Sequence, residues 1–137
     1  MNGFHLFTKG NEPNPASFVL EGTLCPTKDS CLRALARAFR FPKGSGLNLD
    51  AVDEMLNDLD WLALPHYTLL IRDYPCFLQG EDKRAILNML YKTAREWDSV
   101  PNFPGEEEFR EKAAFDIYVE DGPLIRDDLR AAGIPIV

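Results

Sequence analysis

No stretch of this chain approaches the roughly 18 uninterrupted apolar residues of a membrane-spanning helix. Cysteine is scarce and odd in number: Cys25, Cys31 and Cys76 match neither a disulfide framework nor a C-x2-C metal knuckle, and are expected to be reduced core residues. Histidine is scarcer still. His5 and His66 are the only two, and neither H-x-x-E-H nor E-x-x-H spacing occurs, so no metal ligand set is read and no cofactor is expected. Cations are outnumbered, 15 Lys and Arg against 22 Asp and Glu, for a formal charge of −7. Such a chain repels a phosphate backbone, which argues against direct nucleic-acid or anionic-membrane binding and for a cationic partner. Met1–Phe7 has no basic region leading into a long apolar run, so a cytoplasmic location is expected.

What is present suffices for one core: 45% hydrophobic and 11% aromatic side chains in 137 residues. The negative charge is localised. Residues 1–45 sum to +3 and residues 83–137 to −3, whereas residues 46–82 alone carry −7, with Arg72 the single cation among them.

Residues 1–17 are rich in Asn, Pro and Gly and read as an irregular arm, with Phe4, Leu6 and Phe7 able to pin its start onto the body. Phe18 to Leu24 is a strand candidate, followed by a helix capped at Thr27 or Asp29 and stopped at Phe41-Pro42. Lys43-Gly44-Ser45-Gly46 is a turn. Asn48 can cap a second helix from Leu49 to about Leu59, and Tyr67 to Ile71 is a buried central strand. A third helix fits Gly80 to Trp97, and after a link and a charged stretch Ala114 to Val119 is the third strand. The tail, 120–137, holds a short helix, Leu124 to Ala132, ended by Gly133. The expected fold class is α/β: a small, mostly parallel three-stranded sheet with three main helices, divided as arm 1–17, body 18–119 and C-terminal extension 120–137.

On a helical wheel, Leu49, Ala51, Val52, Met55, Leu56 and Leu59 fall on one side of the second helix, and Asp50, Asp53, Glu54, Asn57, Asp58 and Asp60 on the other. Ordinary solvated faces intersperse signs, because like charges at i,i+4 such as Asp50 and Glu54 repel. This face has no cation of its own and suits a concave cationic site.

Gly46-Leu47-Asn48-Leu49-Asp50-Ala51, preceded by Phe41-Pro42 and a three-residue lead-in, resembles the G-x-N-L-D-A core of the barstar family of ribonuclease inhibitors. Asp58-Leu59-Asp60-Trp61-Leu62 and the order of elements from Phe18 to Val119 are similar to the family too. The resemblance implies a barstar-like fold and a non-enzyme. It implies an immunity or antitoxin protein whose acidic helix occludes the active site of a cationic, extracellular-type or toxin ribonuclease. It also implies the contact residues: Asp50 and Glu54 match the family's two inhibitory acids, Asn57 and Asp58 match the next part of its surface by position, and Gly44 and Gly46 belong to the preceding loop. Gly44 falls where the best-known member has an aromatic stacking residue and Asp53 where it has Trp, so the implied surface is less aromatic and more acidic.

Two rival readings stand beside this one. A diverged module of the same fold would offer the acidic face to a different basic protein; on either reading the chain is expected to be a monomer or weak oligomer. A small carboxylate enzyme using Asp50, Glu54 and His66 is more distant, because His66 follows Pro65 in an expected loop without ligand spacing. Gly44-Ser45-Gly46 lacks the Gly-Lys-Ser ending of a phosphate loop. Trp61 and Trp97 read as core or rim packing residues, although Trp61, just after the acidic helix, could also be an exposed anchor, and Glu106-Glu107-Glu108 reads as a solvated strip. Ile134, Ile136 and Val137 could cover a sheet edge or meet another copy.

Overall fold

A computed structural model describes residues 2–13, 17–99 and 113–137. Four strands, β1 (Gly3–Phe7), β2 (Phe18–Glu21), β3 (His66–Arg72) and β4 (Ala114–Glu120), form one sheet in the order β1-β4-β3-β2, and every pairing is parallel. Around it lie α1 (Lys28–Ala38), α2 (Leu49–Leu56), α3 (Asp82–Asp98) and α4 (Pro123–Ala132). The α/β reading therefore stands, with four strands in place of three.

The added strand is β1, drawn from the stretch read as irregular. Its five residues lack local signal because their pairing is remote: Phe4 sits opposite Ile117, and the Asn2 side-chain amide donates to Ala94 O and Ala113 O, both at 3.1 Å. The tail settles its own ambiguity by covering the outer edge of β1, where Ile136 bridges Phe4 and Val137 N–H donates to Phe4 O at 2.8 Å.

Alternate strand positions (Phe4, Phe18, Leu20, Tyr67, Leu69, Ile71, Phe115, Ile117, Val119) meet the apolar sides of all four helices in a single core. Helix ends follow local chemistry. Thr27 and Ser30 make a reciprocal capping box for α1. Its C-terminus closes by Phe41 N–H to Ala36 O and Arg40 N–H to Arg37 O, with Arg40 at φ +53° where glycine is usual. In α4 the same motif uses Gly133 at φ +71°.

Strand β2 is shorter than expected, since Gly22–Leu24 turn into a 3-10 helix. Cys25 and Cys31 are buried thiols as expected, but Cys76 is exposed, corrected by its place on a second 3-10 turn, Tyr74–Cys76, at the surface. The Glu106–Glu108 strip lies outside the described residues.

Candidate functional site

The loop before α2 explains the G-x-N-L-D-A spelling in steric terms. A Cβ on Gly46 would stand 3.0 Å from Ala51 Cβ, so the loop can fold back onto the first turn only where both residues are small. Between them Asn48 Oδ1 accepts the Ala51 N–H at 2.8 Å and caps the helix. Gly44, at φ +89° in the turn closed by Ser45 N–H to Pro42 O, supplies the left-handed position. Gly46, Asn48 and Ala51 thus build the turn, and Asp50 is left to point outward. Replacing Gly46 with Ala is expected to cost about 1 kcal/mol. Adding Ala51→Gly should return part of it relative to Ala51→Gly alone, a coupling readable in a urea-denaturation cycle.

Helix α2 buries Val52 and Leu56 and is followed by buried Leu59, which takes φ +51° as its N–H bonds Met55 O at 3.1 Å. Both tryptophans frame the helix, as their packing reading expects. Trp97 Nε1 donates to Leu56 O at 2.9 Å. Trp61 Nε1 donates to Phe39 O at 2.9 Å, with its ring edge-on to Phe41.

The expected contact residues divide into two sets. Asp50, Glu54 and Asp58, spaced four apart, are exposed with no ion pair among the described residues, and exposed Gly44 and Gly46 lie in the loop before them. Asp53 and Asn57 are only part-exposed and engage α3. Lys92 Nζ lies 2.9 Å from Asp53 Oδ2 and 3.6 Å from Glu96 Oε1, and the Asn57 amide donates to Glu96 Oε2. The acidic face therefore does hold a cation, delivered by α3. The family resemblance points to a third-helix carboxylate near Glu96 without assigning it, and nothing in the sequence points to Lys92, because a residue's neighbours across a helix pair are set by packing.

His66 is not a loop residue. It opens β3, and its Nε2 lies 3.2 Å from Asp116 Oδ2, while His5 Nε2 lies 2.7 Å from Asp116 Oδ1. A carboxylate of β4 thus holds both histidines, and His66 is engaged there rather than with Asp50 and Glu54. Among the described residues no group of three or more His, Cys, Asp or Glu could hold a metal ion, and no helix is long and apolar enough to cross a membrane.

A family model described as Barstar (barnase inhibitor) matches residues 16–118, well over half of the sequence. The chain belongs to the barstar family. No curated protein and no solved structure is significantly similar to it. The barstar match begins after β1 and ends before α4, so the outer strand and the helix that leads to its covering tail lie beyond the matched region. It spans α2 and α3 entirely, and with them the capped acidic helix and the Lys92 contact.

Proposed function

We propose that this chain inhibits a cationic ribonuclease by laying the α2 face and the Lys43–Gly46 loop over its RNA-binding cleft, acting in the cytoplasm as an immunity protein. The observation that carries this reading is the row Asp50, Glu54, Asp58: three exposed carboxylates with no ion pair among the described residues, the first two on the helix that the barstar motif opens and the third in the turn just after it. Carboxylates desolvated against Arg and Lys form charge-assisted hydrogen bonds, and their joint field steers a basic protein toward them. No bond is made or broken in such a mechanism. The inhibitor stands where RNA phosphates would stand.

The test mixes the purified chain with a panel of basic ribonucleases and follows RNA cleavage. One of them should be blocked at a one-to-one ratio. Its association rate should then fall steeply between 10 mM and 0.1 M salt, as the Debye length shrinks from about 30 Å to about 10 Å. A salt-independent rate overturns steering by this face. Failure against every ribonuclease, with capture of another basic protein, would instead favour the diverged module.

A further inference from the structure

Lys92 divides the acidic surface in two. Its Nζ reaches from the middle of α3 to Asp53 and Glu96 while its side chain remains 58% exposed. Asp53 gives it one oxygen, and the other, Oδ1, is buried with no hydrogen-bond partner among the described residues, so this contact is what offsets the burial of that carboxylate. Asp53 first, and Glu96 after it, hold Lys92 above the ordinary lysine range and keep it charged. Glu96 is bound a second time by the Asn57 amide. On the α3 side, two carboxylates share one ammonium, which leaves that patch a net charge of −1 against −3 for Asp50, Glu54 and Asp58 together. On the other side Asp50 and Glu54, one helical turn apart, have no cation to share among the described residues.

We infer that Lys92 is a specificity-determining residue: it restricts the cation-receiving surface to the Asp50–Glu54–Asp58 row and repels any partner that places a cation over α3. The partner that fits therefore carries its Arg and Lys groups in a line along α2, with a neutral or anionic group facing Lys92. The restriction follows from charge placement alone, since a second ammonium brought to Asp53 or Glu96 must approach Lys92 within a few ångströms and gains little from carboxylates already paired. This inference deepens the proposed contact surface and rests on it.

The probe is a hexa-arginine peptide, titrated into the whole chain at 10 mM ionic strength, with side-chain carboxyl carbons and backbone amides followed by NMR. In the unmodified protein, shifts are expected at Asp50, Glu54 and Asp58, with Asp53 and Glu96 nearly still. In Lys92→Gln the shifts should spread to Asp53 and Glu96 and the apparent affinity should rise about three- to tenfold. Lys92→Arg, which keeps the charge, should behave as the unmodified chain. Equal shifts at all five carboxylates in the unmodified chain would overturn the inference, as would no binding to the row or an unchanged affinity in Lys92→Gln. If the peptide pattern holds but no ribonuclease is inhibited, the inhibitor reading fails and the partition by Lys92 stands.

Discussion

Changing Asp50 and Glu54 together to Ala should abolish inhibition of whichever basic ribonuclease the chain blocks, while leaving the fold intact. Truncating a central desolvated carboxylate costs roughly 2–5 kcal/mol of binding, much of it because the partner's cation is left buried and unpaired. Losing both weakens affinity by at least about a hundredfold, less than the sum of the two single losses because neighbouring charges are coupled. Stability should move the other way or not at all. Both side chains are exposed, neither has an ion pair among the described residues, and at i,i+4 they repel by a few tenths of a kcal/mol. Asp50 alone interacts with the first turn of α2, and removing it forfeits a dipole contribution of similar size. Isothermal titration against the ribonuclease and urea denaturation of the free variant read the two effects separately. Affinity within threefold of the unmodified chain would show that the contact surface lies elsewhere.

How far such a surface can be read from sequence depends on where its information lies. Asn48, the alternation of Leu49, Val52 and Leu56 with acids, and the Gly46–Ala51 spacing are local, so the capped acidic helix was legible and the structure places it as expected. Its end was less so: the helix stops at Leu56, three residues early, because Leu59 adopts a left-handed conformation usually left to glycine. Remote information was illegible. Nothing in the sequence pairs Lys92 with the second helix, and only the packing of α3 beside α2 brings it to Asp53. Strand β1 was hidden for the same reason. Gly3–Phe7 are extended because β4 pairs with them, and β4 lies more than a hundred positions away. His5, Asp116 and His66 come together through that same sheet register, and spacing rules searching within a segment cannot find them.

The largest effect on stability is expected at Gly22→Ala, far from the contact surface. Gly22 is buried and begins the 3-10 turn after β2, where it lies against the backbone that ends β3. A Cβ built there would stand 2.3 Å from the Asp73 carbonyl oxygen and 2.4 Å from that of Arg72. These are backbone atoms, so no rotamer change relieves the clash. Either β2 or β3 must shift at its C-terminal end, and both are constrained. The strands pair from Phe18–Leu69 through Glu21–Arg72, and just beyond them Leu78 N–H donates to Cys25 O at 2.8 Å. Asp73 already occupies a left-handed conformation at φ +49°, which leaves the turn after β3 little freedom to yield. Overpacking in a core that can relax costs about 1–3 kcal/mol, so against an unyielding backbone about 3 kcal/mol or more is expected. In a chain of this size that lowers the melting temperature by roughly 10 °C. A loss below 1 kcal/mol in urea would show that the two turns are not packed as described. The variant also separates fold from function in the opposite sense to the acidic pair. Gly22 and the Arg72 and Asp73 backbone it packs against lie outside α2 and the loop before it, so the molecules that remain folded at low temperature should inhibit with unaltered affinity, and inhibition should disappear only as the protein melts.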